Sequence, residues 1–304
     1  MSYKSISVNN TPSQTIQQRI LDNNFYASIR KEITKERLTY LEDASKKLDL
    51  PEIFGQFSSE SHYLKTVDLF IKATEETRNR GTFFLRNVLP HLKAMDSLLD
   101  IGPGNGKLTR WIGRKFKEIT LVDPVPEVLE NISEKSFPKG SLLKKMNASF
   151  LETIQPQNAF DLIVLSHVMY HFPQEKWVDV VEKALKALKS QGLIVIVVNS
   201  GLDREKLGDL FNGKTFPILN LVHAIAELGK EVEFISSKES FHAKDLTTML
   251  HICGLHLHDT GGHVSREILE KHIQSNYLLT THDYKMSVYQ HFIIIRHETD
   301  INPT

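Results

Sequence analysis

The segment Ser97-Leu-Leu-Asp-Ile-Gly-Pro-Gly-Asn-Gly-Lys107 constrains this chain more than any other stretch. The apolar pair Leu98-Leu99 meets an acid, Asp100. Gly102, Gly104 and Gly106 follow, separated by Pro103 and Asn105, and Leu108-Thr-Arg-Trp-Ile-Gly113 then has helical character. The pattern reads as strand, tight loop and helix N-terminus. Glycine reaches backbone angles that other residues avoid and lets the chain approach a ligand closely. The free N–H groups of a helix start would lie beside that ligand.

The spacing discriminates between cofactors. A dinucleotide fingerprint is G-x-G-x-x-G, its third glycine set for helix–strand packing beside a pyrophosphate. Here the pattern is G-x-G-x-G, and Lys107 stands where that third glycine would fall. Asp100 directly before the loop would repel a pyrophosphate and suits a cofactor carrying an ammonium group. Glu118-Ile-Thr-Leu-Val-Asp123 reads as a second strand ending in an acid, 21 residues after Gly102. A carboxylate there can take both hydroxyls of a ribose. The bland alternative is a plain α/β turn with a strand-end acid. The loop, Asp100 and Asp123 together resemble motif I and its neighbour in the class I S-adenosylmethionine (AdoMet)-dependent methyltransferases.

Strands and helices alternate from this point. Strands are expected over 97–101, 118–123, near 142–146, over 160–165 and over 193–198. Helices are expected over 106–116, about 125–134 and 174–189. Leu193-Ile-Val-Ile-Val-Val198 is continuously apolar, as a strand buried on both faces must be. Such alternation predicts an α/β fold, a parallel sheet with helices on both sides. Further on, 203–231 reads as helical, Val232–Ile235 as a strand, 243–252 as a helix, Leu255–His258 as a sixth strand and Tyr289–Arg296 as the last. Ahead of the core, residues 1–13 are polar and read as disordered. Ile16, Ile20, Leu21, Phe25, Ile29, Ile33, Leu38 and Leu41 have helical spacing, with Pro51 ending that block, and Tyr63–Lys93 reads as further helices.

Composition narrows the function. The formal net charge is zero, 37 basic against 37 acidic residues. Nucleic-acid affinity comes largely from a basic surface, so no nucleic-acid partner is expected. The single cysteine, Cys253, excludes a disulfide framework and a cysteine zinc site within one chain. No apolar signal core or membrane-length apolar run is present. A cytoplasmic protein with no membrane partner, monomeric or homodimeric, is the expectation.

A second resemblance is carried by residues beyond the loop. Phe57-Ser-Ser-Glu-Ser-His-Tyr63, the helix through Phe70 to Thr74-Glu75-Glu76, and Leu89-Pro90 resemble the histamine N-methyltransferase family. So do Asp161-Leu-Ile-Val-Leu-Ser-His-Val-Met-Tyr-His171, Val197-Val-Asn-Ser-Gly201, Ala243-Lys-Asp-Leu-Thr-Thr-Met-Leu250 with Cys253-Gly-Leu255, and Phe292-Ile-Ile-Ile295. The resemblance spans about residues 55–297. It implies a Rossmann-like, seven-stranded, mostly parallel sheet. It further implies a methyltransferase domain over 56–300 with a substrate-covering insertion at about 203–242, while residues 1–55, read from their own periodicity, are expected as an N-terminal helical extension.

It implies AdoMet as cofactor, with S-adenosylhomocysteine as product. The cofactor would be held by Asp100, Gly102, Pro103, Gly104, Asn105, Gly106, Asp123, Pro124, Asn147, Ala148, Ser149, Ser166 and His167. Phe57 matches a phenylalanine that lines the substrate pocket. A glutamate that binds the substrate amine matches Glu76, or Glu75 with a one-residue shift. The chain departs from the family at three places. The glutamine after strand four is His167, an aromatic wall residue falls near Arg204, and an asparagine before the last strand falls near Ser287 or Val288.

Several residues have a plainer reading. Glu75 and Glu76, followed by Arg78 and Arg80, would by themselves be a solvated helix face with local ion pairs. His167 and His171 flank Met169 and Tyr170 just past strand four, at the sheet end where ligands bind in such folds. His167 there is either a general base or a backbone-bonded loop histidine. His251, His256, His258 and His263 crowd Asp259 without the spacing of a metal motif. They read as surface histidines with His256 and His258 on one strand face, and no metal is expected. Trp111 and Trp177 read as core packing.

The leading expectation is an AdoMet-dependent methyltransferase acting on a small amine or imidazole. His167 and Glu76 would be catalytic, and Phe57, Glu75, Tyr170, His171 and Arg204 would bind substrate beside Glu76. An O-methyltransferase for a hydroxyl or carboxyl metabolite, a protein or peptide methyltransferase and an inactive AdoMet-binding module remain alternatives. Arg204 in the pocket would favour an acceptor with an anionic group.

Overall fold

The computed structural model describes residues 16–20, 33–214 and 216–296. In chain order its elements begin with β1 (Ile16–Ile20), α1 (Lys35–Ser45), β2 (Ile53–Phe54), α2 (Glu60–Lys72) and α3 (Glu76–Phe83). The cofactor half follows: β3 (Ser97–Ile101), α4 (Lys107–Ile112), β4 (Glu118–Asp123), α5 (Pro126–Glu130) and β5 (Leu142–Asn147). Then come β6 (Phe160–Ser166), α6 (Trp177–Ala187), β7 (Leu188–Ser200), α7 (Leu202–Leu210), α8 (Ile218–Glu227) and β8 (Val232–Ala243). The chain closes with α9 (Leu246–Thr260), β9 (Val264–Ser265), α10 (Arg266–Asn276) and β10 (Tyr284–Arg296).

Eight strands share one sheet in the order β1-β8-β10-β7-β6-β3-β4-β5, and β2 pairs with β9 apart from it. Of the eight, β10 alone runs against its neighbours β7 and β8. The mostly parallel seven-stranded sheet expected from the sequence is therefore present, with β1 added at its edge. From β3 the chain steps outward to β4 and β5. It then returns to the other side of β3 with β6 and β7. A ligand crevice opens at such a reversal, outside the carboxyl ends of the strands.

Alternate residues of each strand face opposite layers. Leu99, Ile163, Ile194 and Ile293 pack with α6 and α8 on one face. Leu98, Leu162, Val195 and Phe292 pack with Phe83, Phe84, Leu108 and Ile112 on the other. The long strands β8 and β10 run on into a third core, where Phe241, Met286 and Val288 meet Leu41, Leu69, Met249 and Leu257. This core carries α1, α2, α9 and α10 against the strand ends.

Five expectations are corrected. Residues 16–20 are a strand, parallel to β8 with Ile16 opposite Val232, although Ile16 and Ile20 have helical spacing. An open sheet edge overrides a spacing of two residues. Only 35–45 of the expected N-terminal helices falls among the described residues, and the expectations for 1–15 and 21–32 lie outside them. Leu255–His258 belongs to α9, and the last part of the expected 203–242 covering insertion is the sheet strand β8. His251 and His256 are buried rather than on the surface. Burial pushes their imidazoles down to about 4 and about 3, and both nitrogens of His256 lack partners between Phe70 and Phe241. Trp177 is core, but Trp111 is 43% exposed. One face of the Trp111 ring lies on α3, where a Cβ added to Gly81 would come within 1.9 Å of it. The absence of a side chain at Gly81 thus seats α3 against α4.

Candidate active site

The glycine loop leaves β3 at the switch point. Gly102, Gly104 and Gly106 have φ of 66°, 54° and 67°, the left-handed region that side chains avoid. A Cβ at Gly102 would lie 2.5 Å from a methyl of Val168, while one at Gly104 would meet nothing within 4 Å. The loop is pinned on one side and open on the other. Gly102 N–H donates to the Val122 carbonyl at 2.8 Å and Gly106 N–H to the Pro103 carbonyl at 3.0 Å. Asn105 Oδ1 accepts from Lys107 N–H at 3.0 Å.

Asp100 is buried below this loop. Its Oδ2 accepts from the Thr109 hydroxyl at 2.6 Å, and its Oδ1 is buried with no partner. Burial pushes the carboxyl up to about 6, against the pull of Thr109 and Arg80. A buried acceptor left open costs free energy that an incoming ammonium would recover. At the end of β4, Asp123 Oδ1 accepts from Val125 N–H at 2.8 Å, and burial raises its pKa as well. Asn147 pairs with Asp123 across β4 and β5. Its side-chain amide donates to the Asp123 and Pro124 carbonyls at 3.1 and 3.0 Å. Ala148 and Ser149 follow, and Ser166 ends β6. The residues expected at a cofactor site thus converge on the carboxyl ends of four adjacent strands.

A second buried carboxylate faces the same crevice. Glu76 begins α3, its N–H donating to Thr74 Oγ1 at 3.2 Å. That helix start is tied to the sheet by a bridge between Thr74 and Phe241. Glu76 Oε1 takes Gln290 Nε2 at 2.7 Å and Arg80 at 3.2 Å, and Oε2 takes Asn199 Nδ2 at 2.9 Å. His167 Nε2 lies 2.8 Å from Oε1. Burial alone would raise the Glu76 pKa. His167, Arg80 and Asn199 outweigh it and hold the carboxyl at about 2. Burial lowers the pKa of His167 further than Glu76 raises it, with Arg80 and Arg204 adding to the fall. The ring is therefore neutral at pH 7 and acts on Glu76 as a hydrogen-bond donor, while Arg80 supplies the positive charge.

His167 itself has φ 57°, a left-handed backbone that costs a non-glycine residue energy and gathers at functional sites. Its N–H donates to Val197 carbonyl at 2.8 Å, and its ring stacks on Tyr170 at 6.2 Å. The Tyr170 hydroxyl accepts from Asn199 N–H. Arg204 is buried, sits 5.0 Å over the Tyr170 ring and donates to the Asn199 carbonyl. This network brings together Glu76, His167, Tyr170 and Arg204. It does not include Glu75, which pairs with Arg37 of α1. Phe57 packs on His62, Tyr63 and His258, and His171 is exposed in a single turn after β6.

Three members were not singled out from sequence. Arg80 carried a signal, being one helical turn after Glu76. Asn199 and Gln290 are polar residues inside otherwise apolar strands, and Gln290 stands two residues past the expected Ser287–Val288 position, inside β10.

The chain matches the Methyltransferase domain family over residues 73–260. It belongs to that family. Among curated proteins it is 26% identical over 145 residues to the N-terminal Xaa-Pro-Lys N-methyltransferase 1 of Xenopus tropicalis, covering 47% of this chain and 65% of that one. It is 28% identical over 137 residues to the 3'-hydroxy-N-methyl-(S)-coclaurine 4'-O-methyltransferase 1 of Papaver somniferum, covering 44% and 36%. The chain spans less than two thirds of the length of these relatives. Among solved structures it is similar to a candidate methyltransferase of Bacillus halodurans. That match has a TM-score of 0.55 and 15% identity, covering 73% of this chain and 100% of that one. The YcgJ protein of Bacillus subtilis matches with a TM-score of 0.53 and 16% identity, also covering 73% and 100%. The fold is that of class I methyltransferases. The open oxygen of Asp100, the open face at Gly104 and the strand-end Asp123 fit AdoMet as cofactor. The match ends before β10, so Gln290 closes the site from outside it.

Proposed function

We propose that this methyltransferase acts on a small molecule, at an amine or imidazole nitrogen. AdoMet would be held by Asp100, the loop from Gly102 to Gly106, Asp123 with Pro124, the segment Asn147–Ser149, and Ser166 with His167. The observation that carries the reading is the enclosed polar cluster around Glu76 and His167, at the same sheet end as the glycine loop. Bound AdoMet supplies an electrophilic methyl carbon and leaves as a neutral thioether, so the protein needs to align the acceptor, exclude water and take a proton. His167 is neutral at pH 7, as a proton acceptor must be. The resemblance of residues 55–297 to histamine N-methyltransferase supports a nitrogen acceptor. The exchange of a glutamine for His167 and of an aromatic wall for Arg204 indicates an acceptor other than histamine.

An O-methyltransferase is the second reading, because an imidazole base serves a hydroxyl at least as well as an amine. Among the described residues no helix is long and apolar enough to cross a membrane, and we place the enzyme in the cytoplasm, as a monomer or homodimer needing no metal. A screen with methyl-labelled AdoMet against amines, imidazoles, amino acids, hydroxy acids and Xaa-Pro-Lys peptides tests the reading. Label transferred to a nitrogen of a small molecule is the expected result. Transfer only to oxygen or only to peptide overturns it, and chelator-sensitive activity overturns the metal-free part.

A further inference from the structure

We infer that Glu76 is a positioning residue rather than a ligand for the acceptor: it fixes His167 as the Nε2–H tautomer and leaves Nδ1 as the atom that takes the acceptor's proton. The inference rests on the methyltransferase reading above, and departs from the amine-binding role that the family resemblance implies for this glutamate.

The argument begins with valence. A carboxylate has about four lone-pair sites. Four donors from four separate parts of the chain surround Glu76, three on Oε1 and one on Oε2. Arg80 and Gln290 reach Oε1 at 3.2 and 2.7 Å, and Asn199 reaches Oε2 at 2.9 Å. His167 Nε2 adds a contact to Oε1 at 2.8 Å. The Glu76 side chain is 7% exposed against 24% for His167, so an acceptor entering the crevice meets the imidazole before the carboxylate. A cationic amine could bind Oε1, the oxygen beside His167, only by displacing a buried guanidinium, amide or imidazole, each of which would then need a new partner.

The tautomer follows. An ionised carboxylate only accepts, so the nitrogen 2.8 Å from it carries the hydrogen. Gln290 Nε2 stands 3.4 Å from the same ring nitrogen, and as a donor already turned to Glu76 it supplies no competing acceptor. The other nitrogen, Nδ1, has no hydrogen-bond partner among the described residues and is not among the buried unpaired atoms. A lone pair therefore faces accessible space. The left-handed backbone at His167 and the stacked Tyr170 ring hold that orientation.

In the reaction the acceptor's lone pair would form the new bond to the methyl carbon as the carbon–sulfur bond breaks, its electron pair staying on the departing thioether sulfur. The acceptor's N–H or O–H bond then breaks heterolytically. Its electron pair stays on the acceptor atom and its proton goes to Nδ1. The resulting imidazolium donates from both nitrogens, and Glu76, already beside Nε2, stabilises the charge. The groups around this ring are Glu76 and Arg80 of α3, Tyr170 and Ser166 from the β6 end, Asn199 of β7, Arg204 of α7 and Gln290 of β10. Of these, Arg80 and Arg204 oppose protonation and Glu76 favours it.

Nuclear magnetic resonance of the full chain with nitrogen-labelled histidine tests this without any acceptor. The His167 signals are assigned by their loss in His167→Gln. The wild type should show one neutral form, protonated at Nε2, persisting below the ordinary histidine range. Glu76→Gln should mix the tautomers and move the titration lower still, while Glu76→Asp, which keeps the charge, should restore most of the wild-type pattern. A wild-type signal protonated at Nδ1, or a Glu76→Gln spectrum in which His167 is unmoved, would overturn the inference.

With an acceptor from the screen and saturating AdoMet, His167→Gln should lower kcat about 100-fold or more, the range for loss of a general base. Glu76→Gln should lower kcat and shift the acid limb of its pH profile downward, with the acceptor KM little changed. A raised KM at constant kcat would return Glu76 to the amine-binding role. If no acceptor is methylated, the functional reading fails while the tautomer measurement still stands or falls by itself.

Discussion

Asp100 and Glu76 are both buried carboxylates on one crevice, yet their acidities move apart, to about 6 and about 2. Burial penalises the charge of each. Asp100 has one hydroxyl donor and an oxygen with no partner. Glu76 has a guanidinium, two amides and an imidazole. The difference separates two ways of building a site. The cofactor wall keeps a valence open at Asp100 Oδ1, which on the proposed reading the ligand would complete. The acceptor wall surrounds its carboxylate with donors from the protein, leaving open atoms only on those donors, at Arg80 Nε, Asn199 Oδ1 and Gln290 Oε1, and on the proposed reading it would offer its chemistry through His167.

The largest effect expected is on the cofactor wall. Gly102→Val places a β-branched side chain at φ 66° and drives it into Val168. Backbone strain of about 1–2 kcal/mol adds to overpacking of about 1–3 kcal/mol. AdoMet binding by calorimetry should fall below detection, with a clearly lowered unfolding midpoint. Unchanged affinity would mean that the loop does not approach the cofactor.

Next comes Glu76→Gln. Removing one partner of a buried charge pair costs about 3–5 kcal/mol, and Gln keeps part of the hydrogen bonding, so a loss of about 2–3 kcal/mol is expected at pH 7. The sign with pH is fixed by the depressed acidity. Stabilisation by ionised Glu76 is present above its ordinary value near 4.5 and is lost as pH falls through about 2. Denaturant midpoints of the two proteins should therefore converge between pH 4.5 and 2. A constant gap across that range would show that the wall is not held together by this charge.

The two walls also differed in how far the sequence revealed them. The cofactor wall lies in one continuous motif, Asp100 to Gly106, plus the acids and amides that end strands β4 and β5. Local spacing carries it, because a strand–loop–helix unit folds on neighbouring residues. The acceptor wall draws on residues up to 214 positions apart, such as Glu76 and Gln290, which only the sheet order brings together. A polar residue in an apolar strand signals a buried partner without naming it. The same limit explains Leu255–His258. From Thr248 to Leu257 every residue of α9 is buried, so apolar periodicity no longer distinguishes a helix from a strand. At Ile16–Ile20, pairing with β8 settled the conformation, and nothing in five residues announces a free edge.

Asp100 gives a prediction of the opposite sign to Glu76. Its folded pKa is raised, to about 6. In the cofactor-free protein the stabilising share of its protonation is therefore fully present below its ordinary 3.8 and lost as pH rises through 6. If the ionised carboxylate holds the cofactor's ammonium, AdoMet affinity should weaken about tenfold as pH falls from 7.5 to 5. Asp100→Asn should bind more weakly at pH 7.5 and lose most of that dependence, while stabilising the cofactor-free protein. Equal slopes for the two proteins would show that another group titrates with binding.

The smallest effect belongs to the neighbour of Glu76. Glu75 also pairs with an arginine, but Arg37 is 31% and Glu75 19% exposed. Solvent screens such a pair, and exposed ion pairs contribute about 0–1 kcal/mol. Arg37 also donates to the Thr74 carbonyl at 2.8 Å, so α1 stays docked to the start of α3 without the carboxylate. Glu75→Gln should cost under about 1 kcal/mol, diminish further at high salt and change methyl transfer less than about twofold, against the loss expected for Glu76→Gln. Matched stability and kinetic measurements on the two variants compare adjacent glutamates that sequence alone left in either register. Equal losses from both would mean that α1 and the Arg37 pair help to shape the acceptor wall. The boundary of the active site would then lie one helix further out than the hydrogen bonds of Glu76 draw it.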